Sequence, residues 1–150
     1  MPIYTGAGDF TFSCYHNPDD ATPASETHIL TAGTTNGLDL LASGALRIYL
    51  NGGVILDSST GVLSDGVESR ITYLRRNNAG TPTIYIYVDG VEVGSVANST
   101  VVNPSDYFGN TNGTYANPGV TRRAIVANCG ISEATENLLD THWLQGAGNA

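Results

Sequence analysis

The segment from Thr83 to Val96 constrains this chain most. Thr83-Ile84-Tyr85-Ile86-Tyr87-Val88 alternates apolar and polar positions, Asp89-Gly90 follows, and Val91-Glu92-Val93-Gly94-Ser95-Val96 alternates again. Period-two alternation marks a strand with two unlike faces, and Asp-Gly tolerates the positive φ angles that a two-residue hairpin turn requires. The segment reads as an antiparallel hairpin. Ile84, Ile86 and Val88 are expected to face the core, with Tyr85 and Tyr87 on the opposite face.

The same pattern recurs along the chain, which points to a sandwich or barrel. Asp9 to His16 alternates with Phe10, Phe12 and Cys14 on one face, and Pro18-Asp19-Asp20 is expected to end it. Thr27 to Ala32, Leu38 to Leu41 and Ala45 to Leu50 read as further strands. Asn51-Gly52-Gly53 is a hairpin turn into Val54-Ile55-Leu56. A longer strand is expected over Ser69 to Arg76, with Ile71 and Tyr73 sharing a face and Asn77-Asn78-Ala79-Gly80 as the loop after it. Residues 97–120 are rich in Asn, Gly, Thr and Pro and read mostly as loop. A last strand covers Arg122 to Cys129. Ser132-Glu133-Ala134-Thr135-Glu136 has the Ser N-cap and early acids of a helix start. That helix is expected over about 133–144, with Leu139 and Trp143 on one face to dock it on the sandwich and Gly146 to stop it.

The 150 residues suit one domain spanning 1–150. A chain of this size buries roughly 70% of its unfolded surface, enough for a core without staples. With 41% hydrophobic residues the chain is folded, and 18 Gly beside many Thr, Asn and Val turn it away from helix. There is no Lys, and the formal net charge is -8. That balance excludes nucleic acid as the main partner, because phosphate binding needs a basic stripe. It also disfavours anionic membranes. The start, Met1-Pro2-Ile3-Tyr4-Thr5-Gly6, has no secretory pattern, and no stretch is long enough to insert in a membrane as a helix. Synthesis in a cytoplasm is expected, with release by lysis as one route out. Cys14 and Cys129 lie in apolar, strand-like segments and are expected to be reduced and buried; the other reading is a disulfide joining the first and last strands.

The order of these pieces resembles laminin-G-like domains of the concanavalin A-like lectin/glucanase superfamily. Asp9-Phe10-Thr11-Phe12-Ser13 followed by Asn17-Pro18-Asp19 looks like that family's opening strand and turn. Ile84-Tyr85-Ile86-Tyr87-Val88-Asp89-Gly90-Val91-Glu92-Val93-Gly94 is similar to its characteristic hairpin. Ile131-Ser132-Glu133-Ala134-Thr135-Glu136 is similar to its short helix after the final strand. The resemblance implies an all-β, two-sheet antiparallel jelly-roll sandwich with one short C-terminal helix.

Glucanases of this fold carry a Glu-x-Asp-x-x-Glu strand, because glycoside cleavage needs two carboxyl groups flanking the bond. The sequence has none; Glu26, Glu68, Glu92, Glu133 and Glu136 stand apart, so no enzyme is expected and a diverged glycoside hydrolase is the remotest reading. His16, His28 and His142 have no metal-ligand spacing. Asp19, Asp20 and Asp106 are conceivable calcium ligands, since related domains hold calcium in loops, but no motif supports a cofactor and solvation of turns is the plainer role. The best ligand loop is 103–117. Asp106, Tyr107, Asn110, Asn112 and Tyr115 combine aromatic faces with amide and carboxylate groups, the chemistry that holds sugars. Tyr85 and Tyr87 are readable as a contact surface, though tyrosine is also simply a good strand former. Asn98-Ser99-Thr100 and Asn112-Gly113-Thr114 match glycosylation acceptors but carry no weight without a secretion signal.

The leading expectation is a non-enzymatic structural or adhesion protein on a particle surface, such as a bacteriophage capsid decoration protein or tail-fibre domain. Its partners would be other virion proteins or copies of itself, and its location the virion surface. The alternative is a carbohydrate-binding lectin module that recognises cell-surface glycans, cytoplasmic or released.

Overall fold

The computed structural model describes residues 8–32, 36–99 and 119–127. Those residues form nine strands and no helix: β1 (Phe10–Pro18), β2 (Thr27–Ala32), β3 (Asn36–Leu40), β4 (Leu46–Leu50), β5 (Gly53–Asp57), β6 (Ser69–Asn78), β7 (Thr81–Val88), β8 (Val91–Ala97) and β9 (Gly119–Ala127). They build two antiparallel sheets, one of five strands in the order β8-β7-β6-β1-β9 and one of four in the order β2-β3-β4-β5. The all-β sandwich is as expected, and its architecture is that of a jelly roll.

Alternation explains how the two sheets meet. Phe10, Phe12 and Cys14 on β1, Ile71 on β6, and Ile84, Ile86 and Val88 on β7 point inward from the larger sheet. Leu30 on β2, Leu38 and Leu40 on β3, and Leu46, Ile48 and Leu50 on β4 meet them from the smaller sheet. Burial of apolar side chains from two facing sheets is the main stabilising term in such a sandwich. Tyr73 packs against this core with its ring 5.7 Å from Phe10 and 5.1 Å from Phe12. At one side the chain leaving β5 is stitched to β8 by a hydrogen bond from Ser59 N–H to the Val93 carbonyl, 3.1 Å. Cys14 is a free thiol in the core, where burial pushes its pKa up to about 12.

Three boundaries differ from the sequence expectation. Asn77 and Asn78 continue β6, paired with Pro82 and Thr81, and the turn shrinks to Ala79-Gly80 with φ of 50° and 91°. Two central residues of positive φ match the twist of the flanking strands, so the hairpin closes as tightly as those at Asn51-Gly52 and Asp89-Gly90. Pro18 does not precede the end of β1 but is its last residue, opposite Gly119. Gly119 starts β9 three residues before Arg122. Any Cβ there would come within 2.2 Å of the Asn17 carbonyl oxygen, and φ is 148°, so only glycine lets β9 approach β1 this closely. The expected helix over 133–144, Trp143, His142 and Cys129 lie outside the described residues.

Candidate functional site

The outward face of the smaller sheet carries a row of polar side chains. Register pairs His28 on β2 with Asp39 on β3, Asp39 with Arg47 on β4, and Arg47 with Asp57 on β5. The local sequences dictate this placement. Asp39 lies between Leu38 and Leu40, and Arg47 between Leu46 and Ile48; with those neighbours in the core, alternation turns the polar residue outward. Glu26, just before β2, joins the row from its end.

Arg47 organises the exposed half. Its Nε and Nη2 donate to Asp57 Oδ1 and Oδ2 at 2.7 and 2.8 Å, a bidentate pair, and its Nη1 reaches Glu26 Oε2 at 3.5 Å. The hydrogen bonds to Arg47 hold the Asp57 carboxyl below its ordinary value, and the same bonds raise the Arg47 guanidinium. Side-chain exposure of 27% for Arg47, 38% for Glu26 and 40% for Asp57 leaves all three open to a ligand.

Asp39 is the buried half, with a side chain 0% exposed. His28 Nδ1 lies 2.5 Å from its Oδ1, while Oδ2 has no hydrogen-bond partner. Burial, and then the hydrogen bond and charge of Glu26, push the Asp39 carboxyl up to about 9. Out of water and beside a second carboxyl group, Asp39 is more stable neutral than charged and keeps its proton at pH 7. Burial lowers the His28 imidazole, with Glu26 opposing, so the ring is neutral at pH 7 and donates from Nδ1. The Asp39–His28 contact is then a neutral pair that ties the edge strand β2 to β3.

An aromatic edge completes the face. The Tyr49 ring lies 6.1 Å from the His28 ring and crosses β3 at Gly37. A Cβ on Gly37 would fall 2.5 Å from the Tyr49 hydroxyl, so the ring can lie against β3 there only because that position is glycine.

The outward face of the larger sheet is built from similar residue types. Tyr85 and Tyr87 on β7 stack at 6.1 Å, beside Leu74 on β6. The Arg76 guanidinium sits 4.4 Å over the Tyr85 ring and donates to the Tyr87 hydroxyl at 3.2 Å. Arg70, Thr72 and Ser13 continue the face, with 2.7 Å between the Ser13 and Thr72 hydroxyls. Here Leu74, Tyr85, Tyr87, Arg70, Thr72 and Ser13 are all buried. Of the two readings of Tyr85 and Tyr87, burial favours the plainer one, strand formers packed in place: their rings have little free surface to offer a partner.

Asp106, Tyr107, Asn110, Asn112 and Tyr115 lie outside the described residues, so the structure neither gathers nor separates them. Asp20 caps its own turn, accepting from Thr22 N–H at 2.8 Å, and Asp65 accepts from Ala21 N–H at 2.7 Å. Among the described residues no group of three His, Cys, Asp or Glu is placed to hold a metal ion. Glu26 does not stand apart, as the sequence suggested; it lies against Asp39 and Arg47. Sequence reading missed His28, Asp39, Arg47, Tyr49 and Asp57 as a set. Its signal was available strand by strand, as single polar residues between leucines, but the register that aligns them was not.

A laminin-G-type family model of the concanavalin A-like lectin/glucanases superfamily matches residues 3–122. The chain belongs to that superfamily. Solved structures agree on the fold of this concanavalin A-like domain. A candidate carbohydrate-binding protein from Bacteroides ovatus is similar at a TM-score of 0.69 and 15% identity, over 91% of this chain and 42% of that one. The CBM40 module of a Ruminococcus gnavus sialidase, bound to α2,3-sialyllactose, is similar at 0.63 and 13% identity, over 88% and 82%. Trypanosoma rangeli sialidase is similar at 0.63 and 14% identity, over 89% of this chain but 22% of the enzyme. The domain thus spans less than a quarter of the sialidase and less than half of the Bacteroides protein. No curated protein sequence matches it.

Proposed function

We propose that this concanavalin A-like domain is a carbohydrate-binding module and that it binds glycan on the open face of the smaller sheet. One observation carries the reading: the row His28–Asp39–Arg47–Asp57 crosses all four strands, flanked by the Tyr49 ring and by Glu26. Sugars are held by fixed carboxylate and guanidinium groups that hydrogen-bond hydroxyls, next to an aromatic face that covers C–H groups. The two relatives described by carbohydrate binding favour this reading over assembly into a particle. Residence on a virion surface is a proposal about location, and a glycan-binding adhesin would serve there.

The same geometry supports binding without catalysis. Glycoside cleavage needs an acid within reach of the glycosidic oxygen. Asp39, whose pKa is raised toward acid duty, is shut away at 0% exposure. The test is binding of the purified chain to a broad glycan panel, read by calorimetry. Saturable binding is expected, reduced at least about tenfold in Tyr49→Ala and in Arg47→Ala, each a loss of an aromatic platform or a hydrogen-bond fork. Wild-type silence across the panel defeats the reading. Binding that survives both substitutions moves the site elsewhere.

A further inference from the structure

We propose that the open face selects neutral, hydroxyl-rich glycans and rejects glycans that end in an acidic sugar. The proposal deepens the glycan-binding reading and rests on it.

The argument begins with what recognition of a sugar carboxylate requires. A carboxylate is held by an unpaired cation, usually an arginine fork with free N–H groups. Arg47 is the cation of this face, and its three nitrogens already serve Asp57 and Glu26. Two carboxylates against one guanidinium leave the row negative, since His28 is neutral and Asp39 keeps its proton.

No other described cation stands in. The chain has no Lys, and its six basic residues are all Arg. Arg70 is buried and donates to the Thr72 hydroxyl at 3.4 Å. Arg75 donates from Nε to the Gly8 carbonyl at 3.0 Å. Arg76 is held by Tyr85 and Tyr87. Arg122 is paired with Glu68. Each described guanidinium is therefore committed within the chain.

What the face does offer is acceptors. Asp57 and Glu26 present carboxylate oxygens at 40% and 38% side-chain exposure, ready for the O–H donors of a sugar diol. A sugar carboxylate brought here meets like charge, whereas a neutral hydroxyl meets an acceptor. The contrast with the Ruminococcus gnavus module, whose ligand is α2,3-sialyllactose, is then one of charge on a shared fold.

The test is affinity for matched ligands. Neutral probes are lactose and cello-, laminari-, xylo- and chito-oligosaccharides; acidic probes are α2,3-sialyllactose, oligogalacturonate and oligoalginate. They are measured on the purified chain and on the double variant Glu26→Gln/Asp57→Asn, with unfolding midpoints recorded for both. Wild type is expected to bind at least one neutral probe and to bind acidic probes at least about tenfold more weakly at low salt, a gap that narrows in 1 M salt. In the double variant the gap also narrows, because the repelling charges are gone. Equal or tighter binding of an acidic probe by wild type overturns the selectivity while leaving the glycan-binding reading intact. A gap untouched by salt and by the double variant also overturns it. Binding to no probe defeats the underlying reading, and the selectivity falls with it. A double variant that does not fold leaves the decision to the salt series on wild type.

Discussion

The two sheets of this domain turn opposite kinds of surface outward from nearly the same side chains. On the larger sheet a half-buried arginine, Arg76, lies against two buried tyrosines, Tyr85 and Tyr87. On the smaller sheet an arginine, Arg47, lies near a tyrosine and three acids, and its surroundings are open. Buried, such residues stabilise the fold through packing and satisfied hydrogen bonds. Exposed, they gain little for stability, and their fixed geometry is available to a ligand. Residue type did not decide the role of either face; burial did.

Removing a buried group from the larger sheet's outward face breaks the comparison most severely. Leu74 is 0% exposed there, so Leu74→Ala is expected to cost about 3 kcal/mol, as deletion of a packed leucine does. Urea unfolding measures it. A loss below about 1 kcal/mol would mean that this face is not packed, and the contrast between the sheets would collapse.

The next effect separates the sheets by pH. His16 on β1 is fully buried, with Nδ1 2.9 Å from the Thr121 hydroxyl, and burial pulls its pKa down to about 4, Asp19 opposing. The folded value lies below the unfolded one, so the unfolded chain takes up the proton first. The stability this group contributes is complete above about pH 6.5 and drains away as pH falls through 4, by roughly 2–3 kcal/mol. Asp39 on the smaller sheet behaves in the opposite sense. Its folded value is raised, so its contribution is complete below about pH 4 and is lost as pH rises through 9. His16→Gln is expected to flatten the acid limb of a stability-against-pH curve. Asp39→Asn, which keeps the shape and removes the titration, is expected to gain about 1–2 kcal/mol at pH 8 and to flatten the alkaline limb. An Asn variant less stable than wild type at pH 8 would show that Asp39 is held ionised, with its charge compensated by Arg47.

The sequence made much of the fold legible. The hairpin at Asp89-Gly90, the turn at Asn51-Gly52, and the inward faces of β1 and β7 follow from alternation and turn chemistry, which are local properties. The candidate site was not legible for a nonlocal reason. His28, Asp39, Arg47 and Asp57 meet only through the registers of three strand pairs, one interrupted by an irregularity between His28 and Leu30 and another between Ile48 and Tyr49. A slip of one residue in any pair would send one member of the row into the core. Glu26 was set aside because it stands alone in the sequence, yet the fold returns it to Asp39 and Arg47. The loop at 103–117 drew the functional reading because aromatic and amide groups cluster there in sequence; it lies outside the described residues, so the row on the smaller sheet stands on separate ground.

The smallest effect sharpens the comparison most. Arg47 is an exposed bidentate ion pair, and such pairs contribute about 0–1 kcal/mol because solvent screens them and two side chains must be held still. Arg47→Met keeps the aliphatic stem that covers the sheet and removes the fork. The variant is therefore expected to unfold within about 0.5–1 kcal/mol of wild type, a change near the limit of denaturant titration. Arg76→Met on the other sheet removes a guanidinium stacked on Tyr85 and bonded to Tyr87, and is expected to cost more, about 1–2 kcal/mol. If the two substitutions cost the same, the outward faces are energetically alike, and the smaller sheet's row loses its claim to be held in place for a ligand. If Arg47→Met leaves stability untouched and glycan affinity falls, the row is a binding surface that the fold carries without depending on it.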